Sequence, residues 1–413
     1  MFENINSYLK AIEGGICAVS DVKAAGVREG KYGLALISFP KSNWTGVFAS
    51  NKIAAAPLVH TKNILNKGKL SAIVANSGNA NCFTGKIGEE DCKVMIDSVS
   101  SILNLPSLEI AIASTGVIGR KMPMDIIGPL IEKASNNLEN SIDSSYDSAD
   151  AIMTTDLVPK EFAVEVEIAE GKKVKIGAIC KGTGMIAPNM ATMLCFIFTD
   201  AKIEDNDILY KSLKNSVDKS FNSLVVDGDE STNDEVLLIA TGSSNVNVVE
   251  DNKINTRFQE GLNYLTVYLA KMMASDGEGA TKFIEVEVNG AKSEEDGKLV
   301  SKSIVSSSLV KTAIFGGDPN WGRIVSAIGS SKAEFDPDNV SISISNYDEQ
   351  VFLVKNSEIL GFEGTENLSK AEELMKSSDI KIIVDLHQGN YSSTAFGCDL
   401  TYDYVKINAE YTT

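Results

Sequence analysis

The stretch Lys181-Gly182-Thr183-Gly184-Met185-Ile186-Ala187-Pro188-Asn189-Met190-Ala191-Thr192-Met193-Leu194 sets a lysine, two glycines, a proline and a threonine between two β-rich runs. A threonine hydroxyl is a weak nucleophile until a base sits beside it. One solution is an N-terminal threonine, whose own α-amino group, with a pKa of about 7.7–8.0, takes the hydroxyl proton near neutrality. An internal threonine gains that amine only when the bond before it is cut. A strained Gly- and Pro-containing turn can press the Thr192 hydroxyl onto the Ala191 carbonyl, giving by N-to-O acyl shift an ester that water hydrolyses. The small Ala191 leaves its carbonyl accessible. The plain alternative is that Thr192 merely starts a strand, because Ala-Thr-Met alone is no motif.

The same residues offer a second chemistry. Gly182-Thr183-Gly184-Met185-Ile186-Ala187 fits the dinucleotide-binding pattern G-x-G-x-x-A, with Asp200 near the place of a ribose-binding carboxylate. A parallel crossover, however, needs about a dozen residues, usually helical. Only Met185 to Ala191 separate the loop from the next apolar run, with Pro188 among them. Nucleotide binding is set aside. Two histidines, His60 and His387, leave no His-rich metal site and little scope for a Ser–His–Asp triad. Both read as structural, so the base is expected to be something other than imidazole. Cys82, beside the Asn-rich run 76–81, has no evident partner and is not expected to be a nucleophile. Asp318 and Arg323 read as a structural turn and ion pair.

The 413 residues carry a formal net charge of -18, which disfavours nucleic acid and anionic membrane surfaces as partners. No apolar run approaches the roughly 18 residues of a membrane span. The opening MFENINSYLKAIEGG lacks the basic-then-apolar form of a secretory signal. Six cysteines without a CxxC pair read as buried free thiols in a reducing compartment, and the cytoplasm is the expected location.

Elements must then position the chemistry. Strands are expected at 34–39, 72–76, 109–114, 162–169, 174–180, 193–199, 236–242, 283–290, 340–345, 380–386 and 404–411. Several alternate, as in Ile284-Glu285-Val286-Glu287-Val288, which fits antiparallel or mixed pairing. Helical stripes run through Cys92, Met95, Val99 and Ile102; through Leu209, Leu213, Val217 and Phe221; and through Phe258, Leu262, Leu265, Leu269 and Met273. Asp205 is placed to cap the second of these. The polar stretch 136–150 reads as a loop, and 291–303 as a polar separator between a strand and a helix. The class is mixed α/β, with sheets sandwiched between helices.

The pattern K-G-x-G-M-x-x-P-x-M-A-T-M-L resembles the self-processing segment of the ornithine acetyltransferase (glutamate N-acetyltransferase) family. Further signatures of that family follow in order. They are 74–82 (VANSGNANC), 114–119 (STGVIG), 153–156 (MTTD), 276–282 (DGEGATK), 316–323 (GGDPNWGR) and the closing 408–413 (NAEYTT). The resemblance implies a four-layer α/β/β/α fold with a smaller additional region. It also implies cleavage between Ala191 and Thr192 into chains 1–191 and 192–413, which build one intertwined catalytic unit.

By the same resemblance Thr192 is the nucleophile, and Thr115 with Gly116 is the oxyanion hole. The substrate contacts are Thr154, Lys181, Thr192, Glu278, Asn408 and Thr413. Thr155, adjacent to Thr154, leaves that register open by one, and Leu157 stands where the family usually has a threonine. The implied reaction is a ping-pong transfer of acetyl from N2-acetylornithine to glutamate, with no metal or organic cofactor. Acetyl-CoA is an alternative donor in some members, and cleaved heterodimers assemble into multimers such as a heterotetramer. Two other functions compete: a self-cleaved aminopeptidase of related fold with the same N-terminal threonine, and a non-enzymatic binding protein that stays uncut.

Overall fold

The computed structural model describes residues 4–187 and 193–410. One strand organises the larger region. Tyr32–Phe48 runs for 17 residues, and its pairing register shifts between Ser38 and Ser42, around Pro40. Proline cannot donate to a ladder and is confined to such interruptions. Before the shift the strand pairs antiparallel with Lys23–Glu29 and Leu70–Ser77, and Leu70–Ser77 runs parallel to Ile110–Ser114. After it, the strand pairs with Glu235–Ala240, and the order continues through Leu194–Thr199, Lys172–Lys181 and Lys160–Ala169.

The two halves of this strand therefore belong to two leaves that face each other. Ile37, Ile73, Ala75 and Ala113 from one leaf share a core with Ile179, Phe196, Phe198, Leu237 and Ile239 from the other. Strand residues alternate faces, so the outer faces need helical cover. On one side Cys195, Ile197, Val236 and Leu238 pack against Leu209, Leu213 and Val217 of helix Asn206–Lys219. Phe258, Leu262, Leu265, Leu269 and Met273 of helix Thr256–Ser275 complete that layer. On the other side Leu34, Leu36, Val74 and Ile112 meet Met95 and Val99 of helix Gly85–Leu103 and Leu130 and Ile131 of helix Met124–Asn136. The result is the four-layer α/β/β/α arrangement that the family resemblance implies. A seven-stranded sheet with its own core, in which Val286, Ile342 and Ile382 meet Val300, Ile304 and Ile328 from helices, forms the smaller region.

Asp205 caps its helix as expected, accepting from Asp207 and Ile208 N–H. Four expectations are corrected. The supposed loop 136–150 holds all but the last residue of helix Ile142–Ala151, opened by a Ser141–Ser144 capping box. Its buried face consists of Ser144, Ser145, Ser148, Ala149 and Ala151, so it lies close on strand Lys23–Glu29 without the large apolar stripe that marks a core helix. The polar stretch 291–303 holds most of helix Glu294–Ser306, capped by Ser293. The run 404–411, expected as a strand, lies largely in helix Tyr402–Glu410, and its final Tyr411 lies outside the described residues. The Thr401 hydroxyl accepts the Tyr404 N–H there, which is the N-cap signal that the Val405-Lys406-Ile407 alternation masks. Ile102, counted with a core stripe, is exposed.

Candidate active site

Strands Lys172–Lys181 and Leu194–Thr199 are antiparallel neighbours, with Lys181 opposite Leu194. The dinucleotide reading requires a parallel crossover at this point, and the structure has none. Asp200 instead accepts the Lys175 N–H. Lys181 is thus the last residue of one strand and stands opposite the first residue of the next, and it lines a cleft of about 350 Å³. Thr115, Gly116, Thr154, Thr155, Lys181, Glu278 and Asn408 all line this cleft.

Thr115 and Gly116 follow directly on strand Ile110–Ser114. The Thr115 N–H donates to the Asn76 carbonyl at 3.0 Å, and the Ser114 hydroxyl bonds the Asn76 side chain at 2.6 Å. Gly116 has φ +127°, and a Cβ there would collide with the Gly78 carbonyl carbon. The Asn-rich motif 74–82 thus holds the turn that presents Thr115 and the Gly116 N–H.

Lys181 ends its strand and is buried. Its ammonium donates to Thr154 Oγ1 at 2.9 Å and Thr115 Oγ1 at 3.4 Å, with Asp156 Oδ2 at 3.8 Å. Burial pushes its pKa down and Asp156 opposes that shift. Burial likewise works against the charge on Asp156, but the ammonium groups of Lys181 and Lys160 outweigh it and hold the carboxyl at about 2. Asp156 also accepts the N–H groups of Thr154 and Gly182. Lys160 continues the chain of charges to Asp276 at 2.6 Å, which in turn accepts the Leu157 N–H at 3.1 Å. Thr154 meets Lys181, whereas Thr155 bonds Thr183 Oγ1 at 2.9 Å. The Leu157 side chain is exposed and does not line the cleft.

Glu278 sits after the end of helix Thr256–Ser275. Its N–H donates to the Thr183 carbonyl and its carboxylate accepts from Asn408 Nδ2 at 2.8 Å. The C-terminal helix thereby contributes Asn408 and Tyr404 to the cleft wall. Burial, with the charges of Asp227, Glu278 and Asp229, pushes the Tyr404 phenol up. Ala191, Thr192 and Thr413 lie outside the described residues.

Three contributors were missed from sequence. Asp227 accepts the Met185 and Ile186 N–H groups at 2.6 and 2.8 Å, fixing the bend at Met185, whose φ is +55°. Asn233 donates to the carbonyls of Ala80 and Ser114 at 2.6 and 2.8 Å. Asp234 accepts the Met193 N–H at 2.8 Å. Each acts on residues about 40 or more positions away in the chain, and in the sequence they look like ordinary turn residues.

Other residues singled out earlier lie elsewhere. His60 packs against the Ile110 carbonyl and His387 against Ser341 and Asp385. The six cysteines are buried and free. Asp318 and Arg323 do not pair. Asp318 accepts from Asn320, and Arg323 donates to the Leu309 carbonyl and the Thr312 hydroxyl. Among the described residues no group of His, Cys, Asp and Glu is arranged to hold a metal ion, and no helix is long and apolar enough to cross a membrane.

Residues 19–413 match the ArgJ family, and the chain belongs to that family. Over 405 residues it is 53% identical to glutamate N-acetyltransferase of Methanothermobacter thermautotrophicus, covering 98% of this chain and 99% of that one. Identity to glutamate N-acetyltransferase of Methanocaldococcus jannaschii is also 53%, over 409 residues, with coverage of 98% and 100%. The crystal structure of ornithine acetyltransferase complexed with ornithine from Mycobacterium tuberculosis is 32% identical, covering 44% of this chain and 98% of that chain with a TM-score of 0.41.

Proposed function

We propose that this chain is a glutamate N-acetyltransferase that carries the acetyl group of N2-acetylornithine to glutamate on Thr192, after cutting itself between Ala191 and Thr192. The observation that carries the reading is the convergence of Thr115, Gly116, Thr154, Lys181, Glu278 and Asn408 on one cleft from remote parts of the sequence. The pairing of Lys181 with Leu194, two residues after Thr192, supports Thr192 as the group delivered there.

In this reading the Thr192 hydroxyl gives its proton to its own α-amine as Oγ bonds the acetyl carbon. The carbonyl oxygen becomes an oxyanion facing the Thr115 hydroxyl and the Gly116 N–H, an electrostatic role worth about 2.7–4 kcal/mol per donor. Collapse breaks the C–N bond, and the Thr192 ammonium returns the proton to departing ornithine. Glutamate then attacks the ester by the reverse sequence. Lys181 receives the substrate α-carboxylate. Its ammonium is already desolvated within the protein, so little further dehydration opposes that contact. Glu278 pairs with the side-chain ammonium of ornithine in a charge-assisted contact, and Asn408 orients the carboxylate. Thr413 is assigned to the same contact set by resemblance.

The proposed products of cleavage, 1–191 and 192–413, remain one unit, because the strands flanking the cut are sheet neighbours. The reaction as proposed uses no metal or organic cofactor, with acetyl-CoA as an alternative donor. Multimers of α/β heterodimers in the cytoplasm belong to the same proposal. The test is transfer from N2-acetylornithine to labelled glutamate, with parallel double-reciprocal lines and no turnover by Thr192→Ala. Intersecting lines would contradict an acetyl-enzyme. Peptide hydrolysis without acetyl transfer would favour the aminopeptidase.

A further inference from the structure

The backbone of Met193 is held at both of its polar groups by one dipeptide. Its N–H donates to Asp234 Oδ1 at 2.8 Å, and its carbonyl accepts the Glu235 N–H at 3.2 Å. Asp234 is wholly buried, with the Ser231 hydroxyl beside its carboxyl. A carboxyl kept in such a place costs stability, so a position that tolerates it calls for a reason beyond packing.

The residues just before Asp234 reach the other half of the site. Asn233 Nδ2 donates to the carbonyls of Ser114 and Ala80, the first of which immediately precedes Thr115. The clamp is fastened further along its length: the Ala55 N–H donates to the Thr232 carbonyl and the Ala49 N–H to the Asp234 carbonyl, both at 3.0 Å. Strand Glu235–Ala240 then runs parallel to Leu194–Thr199 in register, Glu235 against Leu194. Adjacent side chains thus fix the turn bearing Thr115 and the residue that follows Thr192.

We infer that Asn233 and Asp234 form a clasp that sets the distance between the oxyanion-binding turn and the Thr192 nucleophile, with Asp234 the positioning residue for self-cleavage and acetyl transfer. The inference rests on the proposed role of Thr192. The Asp234 carboxyl touches neither substrate nor scissile bond in this account; it acts through the Met193 amide, one peptide from the reacting hydroxyl. Reactions at such centres demand near-attack geometry, and a displacement of about 1 Å costs on the order of a hundredfold in rate.

The experiment compares full-length wild type, Asp234→Ala and Asp234→Asn. Cleavage is followed by intact mass, and steady-state acetyl transfer is measured on whatever protein is cleaved. Asparagine keeps a carbonyl oxygen where Asp234 Oδ1 accepts, and alanine removes it. The alanine variant is expected to cleave at least roughly tenfold more slowly and, once cleaved, to show a lowered kcat with KM for acetylornithine changed less than about twofold. The asparagine variant is expected to stay within about threefold of wild type in both. Should alanine give insoluble protein, Asp234→Leu keeps the branched shape without any acceptor and is read the same way. Wild-type rates in the alanine or leucine variant would overturn the clasp, as would an asparagine variant slowed as much as they are. A wild type that never cleaves would instead overturn the role of Thr192.

Discussion

Gly184 makes room for Glu278: a Cβ on Gly184 would stand 2.5 Å from the Glu278 carboxyl carbon. Its φ is not in the left-handed region, so a side chain there would act by displacing the Glu278 carboxylate and not through backbone strain. Gly184→Ala is expected to push Glu278 away from Asn408 and lower kcat/KM for acetylornithine roughly tenfold, about 1.4 kcal/mol. In a Glu278→Ala background the same change should add almost nothing, because the colliding carboxylate is gone. Additive losses in that double-mutant cycle would break the link between the two residues.

In the proposed reaction Thr115 offers its hydroxyl to a charge that exists only in the transition state. Thr115→Ala should lower kcat about a hundredfold and leave KM nearly unchanged. Thr115→Ser, which keeps the hydroxyl, should recover most of that loss. Self-cleavage should slow as well, since that step passes through its own tetrahedral oxyanion. Unchanged turnover in correctly cleaved Thr115→Ala would remove the residue from the hole.

The buried Asp156 couples the site to acid. Its folded pKa of about 2 lies below its ordinary value of 3.8. A depressed carboxyl contributes stability above its unfolded pKa and loses it as pH falls through the folded one. That contribution is on the order of 2 kcal/mol, present in full above about pH 5 and lost toward pH 2. Asp156→Asn leaves two buried lysines short of a counter-charge and should cost about 3–5 kcal/mol at neutral pH. Denaturant titrations should show the gap between wild type and variant narrowing by roughly 2 kcal/mol from pH 5 to 2. A gap independent of pH would contradict the assignment.

How much of this could be read from sequence follows from the distances over which residues act. Strands such as 283–290 and 380–386 announce themselves because each alternation or apolar run is a local property. Helix Ile142–Ala151 does not, because it packs through serine and alanine and buries no large apolar stripe. The cleft residues Thr115, Lys181 and Glu278 were found through family motifs, and composition alone would have passed over all three. Asp227 and Asp234 carried no such mark, since what distinguishes them is the remote amide each one holds. Helix Tyr402–Glu410 was misread, yet Asn408 on it still faces Glu278.

Asn408 couples that C-terminal helix to the site by its bond to Glu278. Asn408→Ala should raise KM for acetylornithine at least roughly tenfold, because the lost contact is worth about 1.5 kcal/mol or more. Self-cleavage and the melting temperature should change little, as none of the helix's residues is buried. Wild-type kinetics would show that the helix merely covers the cleft.

The central claim is that Thr192 becomes an N-terminal nucleophile. Intact mass of purified wild type and Thr192→Ala tests it most directly. The account predicts two fragments from the wild type, 1–191 and 192–413, with Thr192 at the new N-terminus, and one uncut chain from the variant. A wild-type protein that stays whole while transferring acetyl at full rate would contradict it.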